Sequence, residues 1–206
     1  MSSEQERELP EAIGRREAIK RVSVLLGGVA LVGGSSLLAS CGRERPAAGT
    51  AVGKFSASNV TLLDEVADTI LPETSTPGAK AAKVGPFMAL MVTDCYEDAD
   101  QQIFRDGLAK LENASMKMNG KSFMDSTPAQ RTALLESLDR EQKAYMDAKK
   151  PDDRAHWFRM MKELTLLGYF TSEIGYTKAL RYREAPGHYD PCVPYVKGEK
   201  SWAPHA

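Results

Sequence analysis

The sequence has few of the residues from which metal centres and disulfide scaffolds are built. Its 206 residues include three cysteines and three histidines. No C-x-x-C or C-x-x-C-H motif occurs, which excludes paired-cysteine zinc, thioredoxin-like and c-type haem sites. An excess of charge of one sign is also lacking, because 27 Lys and Arg stand against 28 Asp and Glu and the formal net charge is −1. We therefore expect no metal site and no nucleic-acid partner.

Familiar catalytic motifs are absent as well. The chain contains no G-x-G-x-x-G, P-loop or G-x-S-x-G sequence, so phosphate-binding loops and hydrolase nucleophile elbows have no support. His156 has no Cys, Asp or second His three or four residues further on, and we interpret it as a packing histidine beside Trp157. The acidic stretch 97–100 lacks the glycine and the distal glutamate of an EF-hand and is interpreted as a solvated helix start. We predict no catalytic residue and no cofactor in this chain.

The first 40 residues are typical of an export signal. A charged stretch, Gly14–Lys20, precedes an apolar run from Val22 to Leu38, which is the order of the n- and h-regions of a signal peptide. Four glycines interrupt the run, and it is shorter than the roughly 20 strongly apolar residues that a membrane-spanning helix needs. The pair Arg15-Arg16 resembles a twin-arginine signal, which exports proteins that have already folded. A leader for general secretion and an amphipathic structural helix are the alternatives.

The residues after the apolar run resemble a lipoprotein box. In Leu38-Ala39-Ser40-Cys41-Gly42, small residues stand directly before a thiol. We predict that Cys41 is acylated and becomes the new N-terminus, and the alternative is an ordinary cleavage site beside an incidental cysteine. Two or more acyl chains give stable attachment, so an acylated Cys41 would hold a periplasmic protein on a membrane. Because Gly42 stands where Asp would signal retention at the inner membrane, both the inner and the outer membrane stay open.

The rest of the chain predicts an all-α fold. We divide the sequence into a signal peptide (1–40), a flexible tether (41–57) and a helical domain (58–206). Apolar residues at helical spacing predict a single helical bundle of about five helices with an irregular Tyr/Pro-rich C-terminal tail. The helices are predicted from Ser58, as N-cap, to before Pro72; from Pro86 to near Cys95; from Asp98 or Asp100 to before Asn119; from an N-cap at Thr127 onward; and from about Asp152 to Glu173.

The spacing also predicts which side chains face the core. They are Leu62, Leu63, Val66 and Ile70 in the first helix, Phe87, Leu90 and Met91 in the second, Ile103, Phe104, Leu108 and Leu111 in the third, Leu134, Leu135, Leu138 and Tyr145 in the fourth, and Trp157, Phe158, Met161, Leu164 and Leu167 in the last. The last helix is so apolar that we expect it to be the central helix of the bundle.

The tail that follows alternates tyrosine with proline and therefore cannot be a long helix. We expect it to wrap the bundle or to lie on another protein, because Tyr and Trp supply large contact areas with polar tips. The candidate docking residues, on the tail and the adjoining helix, are Tyr169, Tyr182, Tyr189, Tyr195 and Trp202.

Two cysteines remain once Cys41 is acylated. In an oxidising periplasm Cys95 and Cys192 form a candidate disulfide, which would close a loop of about 100 residues and stabilise the fold by up to about 4.7 kcal/mol in the chain-entropy model. The alternatives are a bridge from Cys192 to a partner subunit and two free buried thiols.

Three stretches of the helical domain carry a family resemblance. Val66–Pro72, continued by Thr76–Ala82 and Val84, resembles the opening of the gluconate 2-dehydrogenase subunit 3 family, and Leu167–Gly175 and Pro186–Pro194 resemble its closing motifs. The resemblance implies a non-catalytic small subunit of a flavin-dependent sugar or alcohol dehydrogenase. It implies that FAD is bound by the large subunit, which passes electrons to a cytochrome or to quinone, so a cytochrome c subunit is a further candidate partner.

The resemblance further implies that the small subunit carries the export signal for a large subunit that has none. A flavoprotein folds around its cofactor in the cytoplasm, so a twin-arginine leader on a chain without an active site suits an escort. Our leading hypothesis is a subunit that escorts, stabilises and membrane-anchors such a dehydrogenase. The alternatives are a stand-alone envelope lipoprotein that acts as an interaction scaffold, and an enzyme that uses His156 or the tyrosines.

Overall fold

The fold is an all-α bundle, as the sequence predicts. The structure, a computed structural model, describes residues 50–185, 187–188 and 191–203. The five α-helices of this part of the chain are α1 (Ala57–Ile70), α2 (Val84–Cys95), α3 (Asp98–Asn119), α4 (Pro128–Ala148) and α5 (Trp157–Phe170). A single π-helical turn, Gly175–Ala179, follows α5. Over the described ranges the only β-type pairings are two isolated bridges, Val52–Phe55 and Arg181–Trp202.

Local signals start and stop the helices. The Thr127 side chain accepts a hydrogen bond from the Gln130 N–H, and the Gln130 side chain accepts one from the Thr127 N–H, which forms the predicted capping box of α4. Gly120 ends α3 with a φ of 67°, a left-handed conformation that favours glycine. The predicted cap of α1 is wrong by two residues. Ser56, not Ser58, accepts from the Asn59 N–H, because Ser58 already lies inside the first turn.

Helix α2 presents a different face to the core from the predicted one. Met88, Ala89 and Val92 are fully buried, whereas the expected Phe87, Leu90 and Met91 are only half-buried. Met88, Ala89 and Val92 follow Gly85 at helical spacing, and the backbone of Gly85 touches Asp64 of α1. The close approach of α1 at Gly85 turns this face of α2 toward the core, so the other apolar residues of α2 lie at the border of the core.

Helix α5 is the central helix, as predicted, because it packs against each of the other four. Its predicted ends at Asp152 and Glu173 are wrong. Residues 150–153 form a turn in which the Asp153 side chain accepts from the Lys150 N–H at 2.9 Å, so the helix begins only at Trp157. At the other end, α5 stops at Phe170, and the Ser172 hydroxyl donates to the Tyr169 carbonyl at 2.6 Å and accepts from the Gly175 N–H at 3.0 Å in the turn that follows.

Two of the predicted core side chains lie on the surface instead. Leu167 on α5 is 45% exposed and Tyr145 on α4 is 42% exposed. The Tyr145 hydroxyl donates to the Arg154 carbonyl at 3.1 Å, in the connection before α5. Both residues have the helical spacing of a core position, but no neighbouring helix covers that part of the surface in the described structure.

The C-terminal tail is irregular and folds back on itself. The Arg181 N–H donates to the Ser201 carbonyl at 2.9 Å, and the Ala203 N–H donates to the Arg181 carbonyl at 2.8 Å. Ala203 is buried, whereas most of the described residues between 182 and 202 are exposed. The tail therefore neither extends α5 nor hangs as an open strand.

Candidate docking surface

The first motif of the sequence forms a tight corner between α1 and α2. The side-chain carboxylate of Asp68 accepts from the Lys80 N–H at 3.2 Å, and the Ala79 N–H donates to the Leu71 carbonyl at 2.9 Å. A Cβ on Gly78 would lie 2.6 Å from the Asp68 carboxylate and 2.7 Å from the backbone nitrogen of Glu73. Only glycine fits there, so the Pro77-Gly78 turn is a packing requirement of the corner.

A buried carboxylate holds the start of α2 in this corner. The N-cap position of α2 supplies no side-chain acceptor, and Asp64 takes its place from α1, accepting from the Gly85 N–H at 2.8 Å. Burial raises the pKa of Asp64, and the hydrogen bond from Gly85 opposes that rise. A negative group at a helix N-terminus satisfies free N–H groups. Asp64 therefore has a structural explanation that needs no substrate.

An ion-pair network covers the corner. Glu65 accepts from Lys80 at 2.8 Å and pairs with Arg131 of α4. Burial alone would raise the pKa of Glu65, but the bonds from Lys80 and Arg131 outweigh it and hold that pKa below its usual value. Arg131 also donates to the backbone carbonyls of Phe123 and Met124, so it joins the corner to the connection between α3 and α4.

The second motif packs directly on the first. The Tyr169 hydroxyl donates to the Pro77 carbonyl at 2.6 Å across 92 residues of sequence, and a Cβ on Gly168 would lie 2.5 Å from the Phe87 ring. Tyr169 is only 4% exposed. Its prediction as a docking residue is wrong, because its ring and its hydroxyl are both used inside the bundle.

The outer face of α5 is apolar where it leaves the bundle. Leu166, Leu167 and Phe170 lie on this face and are each more than a third exposed. One turn earlier the same face carries Glu163, which bonds Arg159 at 2.5 Å. An apolar group next to a charged pair is the usual composition of an interface core and its rim. The sequence analysis named the helix beside the tail but assigned Leu167 to the core, because three leucines within four residues could not be divided between inside and outside.

The tail adds aromatic residues to the exposed surface. Tyr182, Tyr195 and Trp202 are exposed and stay predictions as docking candidates, and Tyr195 is the most exposed of them at 88%. The Tyr176 and Tyr182 rings meet edge to face at 5.6 Å. The fifth candidate, Tyr189, lies outside the described residues.

The helical domain matches the model of a known protein family. The family model of gluconate 2-dehydrogenase subunit 3 matches residues 57–187, which include α1 to α5, the corner motif and the Tyr169 motif.

The chain belongs to the gluconate 2-dehydrogenase subunit 3 family.

The family description supports an accessory role within a dehydrogenase complex. The match ends at Gly187, so it includes only the start of the Pro186–Pro194 segment. Comparisons with curated proteins and with solved structures give no match.

The cysteines of this subunit 3 chain do not form the predicted intrachain bridge in the structure. Cys95, at the end of α2, and Cys192, in the tail, are both exposed and are not joined to each other. The alternative of two buried thiols is also wrong, because both side chains reach the surface. A bridge to a partner subunit stays a prediction. The export pair Arg15 and Arg16 and the acylation residue Cys41 lie outside the described residues.

The acidic residues at the start of α3 are paired with Arg154. A cavity of about 520 Å³ is lined by the acidic residues before α3 and α5. Within it Arg154 bonds Asp100 at 2.7 Å and Glu97 at 3.1 Å. Glu97 is well exposed, consistent with the predicted solvated helix start. The described residues contain no group of three or more His, Cys, Asp or Glu placed to hold a metal ion. Among the same residues, no helix combines the length and hydropathy needed to cross a bilayer.

His156 has a role that the sequence analysis did not predict. Its Nδ1 accepts from the Phe158 N–H at 3.2 Å, which makes it the N-cap of α5. Its Nε2 lies 3.6 Å from the Glu141 carboxylate of α4. Burial lowers the pKa of His156, and Glu141 opposes that effect. The ring therefore packs in the bundle, as expected, and also completes the backbone hydrogen bonding of the central helix.

Proposed function

We propose that this subunit 3 is a non-catalytic escort and membrane anchor for a FAD-dependent sugar or alcohol dehydrogenase. The observation that carries the proposal is the combination of family membership with two export features in one chain, the Arg15-Arg16 pair and the small residues before Cys41. The large subunit folds around its FAD in the cytoplasm, docks on the helical domain and crosses the inner membrane with it. Acylated Cys41 then keeps the complex on the periplasmic side of a membrane.

The structure supports a docking role through the surfaces it leaves exposed. The outer face of α5 and the aromatic residues of the tail together present large apolar side chains on a domain whose polar groups serve its own packing. Exposed apolar clusters with a charged rim mark protein-interaction sites. We assign Tyr182, Tyr195, Trp202 and the α5 face to contact with the large subunit, and a cytochrome c subunit to a later place in electron transfer.

The export role is tested by changing the arginine pair. Arg15→Lys together with Arg16→Lys is expected to leave the dehydrogenase folded and active but to move its activity from the periplasmic to the cytoplasmic fraction. Arg21→Lys, which changes a base of the same leader outside the pair, is the matched control and should leave the distribution unaltered. Unchanged periplasmic activity in the double variant would refute the escort role.

The anchor is tested separately with Cys41→Ser. The expected result is that dehydrogenase activity passes from the membrane pellet to the soluble periplasmic fraction. Cys95→Ser, which removes an exposed thiol of the helical domain, is the control. Activity that stays on the membrane in the Cys41 variant would show that another contact provides the attachment.

A further inference from the structure

Three exposed methionines lie close together in the sequence at the end of α3. Met116 and Met118 are each 53% exposed, and Met124 is 38% exposed. Met116 and Met118 belong to the last turn of α3, in which the Met116 carbonyl accepts from the Gly120 N–H at 3.0 Å. Met124 lies in the connection to α4. Methionine is among the residue types most often fully buried, so this stretch brings an unusual number of thioether groups into contact with water.

The other methionines that the structure describes are covered to a greater extent. They are Met88, Met91, Met146, Met160 and Met161. Met88 and Met161 are completely buried, and the Thr165 hydroxyl donates to the Met88 sulfur at 3.8 Å. A reagent dissolved in water reaches such a sulfur only when the bundle opens, and open forms of a stable core are rare. The fold therefore divides its methionines into an accessible set and a protected set.

The relevant chemistry of an accessible thioether is oxidation to a sulfoxide by hydrogen peroxide. The sulfur lone pair attacks one peroxide oxygen, an S–O bond forms, and the O–O bond breaks. The leaving hydroxide takes up the proton that the transferred oxygen loses, so the second product is water. Sulfur loses two electrons and the peroxide gains two. The step needs no catalytic group from the protein, so contact between the sulfur and solvent decides where it occurs.

We propose that Met116 and Met118 form a modification site at which hydrogen peroxide produces methionine sulfoxide in the folded protein. Met124 is the slower third residue of this site, because its side chain is less exposed. The inference does not rest on the proposed function, because it requires only the helical domain and a peroxide.

Oxidation at this site changes the surface and spares the core. A sulfoxide is polar, so the reaction converts two apolar side chains at the end of α3 into polar ones that stay in water. The end of the helix is held by a main-chain bond to Gly120, which the reaction does not touch. At Met88 the new oxygen would enter the core, where burying a polar group is unfavourable. Methionine sulfoxide reductases restore the thioether, so a modification that leaves the protein folded is reversible.

The test follows the oxidation of each methionine in the purified, tagged full-length chain. Dilute hydrogen peroxide is added, samples are quenched with free methionine, and peptide mass spectrometry gives the oxidised fraction of each residue over time. Met116 and Met118 are expected to react at least about tenfold faster than Met88, because Met88 reacts only from opened molecules. Met124 should have an intermediate rate. Equal rates at Met116, Met118 and Met88 would refute the inference.

Unfolding in urea is the control for the role of the fold. In the unfolded chain every methionine contacts solvent, so Met116, Met118 and Met88 are expected to react at similar rates. If Met116 and Met118 keep their advantage over Met88 in urea, the neighbouring sequence causes the selectivity instead of exposure in the fold, and the inference is overturned.

Substitution identifies the site independently. Met116→Leu together with Met118→Leu is expected to lower the early mass gain of the intact chain by about two oxygen atoms. Met88→Leu, a volume-conserving change at a buried methionine, is the matched control and should leave the early mass gain unaltered. Circular dichroism should give the same helix content before and after this early phase. Helix that is lost as fast as Met116 and Met118 are oxidised would refute a modification of the folded protein.

Discussion

The histidine that caps the central helix makes the stability of the bundle depend on pH. The neutral ring of His156 accepts the Phe158 N–H through Nδ1, and a protonated ring has no acceptor at that atom. Removing an N-cap costs about 1 kcal/mol of unfolding free energy. His156 also packs against the Tyr145 and Trp157 rings, with centroids 5.4 and 5.5 Å away. We expect His156→Ala to lower the unfolding free energy by about 1–2 kcal/mol near neutral pH.

The direction of the pH effect follows from the lowered pKa of His156. Burial lowers that pKa in the folded state below the value of 6.5 that an exposed histidine has, Glu141 opposes the shift, and Lys110 adds to it. The stabilisation from the neutral cap is fully present above the unfolded pKa. It is lost as the pH falls through the lower folded pKa, because folding then requires the unfolded state to release a proton.

Urea unfolding followed by circular dichroism at about pH 7.5 and about pH 5 measures this dependence. His156→Asn keeps a capping oxygen that cannot be protonated in this range, and it should lose less stability than wild type on acidification. His188→Asn, in the exposed tail, is the matched control and should behave as wild type. Equal losses in wild type and His156→Asn would refute the reasoning.

Three further substitutions test the corner and the helix caps, with unfolding free energy as the measurement in each case. Gly85→Ala places a Cβ 2.6 Å from the Asp64 carboxylate and should lower the unfolding free energy by about 2 kcal/mol or more. A variant as stable as wild type would show that α1 and α2 can move apart without cost. Tyr169→Phe removes the hydrogen bond to the Pro77 carbonyl and should lower the unfolding free energy by about 1–2 kcal/mol. An unchanged unfolding free energy would show that water can replace the tyrosine hydroxyl at that carbonyl. Thr127→Ala removes the side-chain half of the α4 capping box and should cost about 1 kcal/mol, whereas Thr127→Ser should restore most of it.

Some features of the fold follow from short stretches of sequence. Thr127-Pro128 with Gln130 three residues after the cap fixes the start of α4, and Gly120 fixes the end of α3. These signals are local, because the groups that satisfy the helix ends lie within four residues of them. The number of helices, the central position of α5 and the irregular tail likewise follow from helical spacing and from prolines.

Helical spacing predicted the buried faces of α1 and α3, but the buried face of α2 and the limits of the buried faces of α4 and α5 were decided only by tertiary packing. Helical spacing shows that a helix has an apolar face, but Leu167 and Tyr169 are separated into surface and core by the neighbours that α5 meets. Tyr169 is buried because the Pro77 carbonyl, 92 residues earlier, accepts its hydroxyl proton at 2.6 Å. The contact between Arg181 and Trp202 is of the same kind, because these two residues meet only when the chain between them turns back. The sequence by itself determined the helices and their order. Contacts between distant residues determined which surfaces stay exposed to bind a partner, because the burial of a side chain depends on what packs against it.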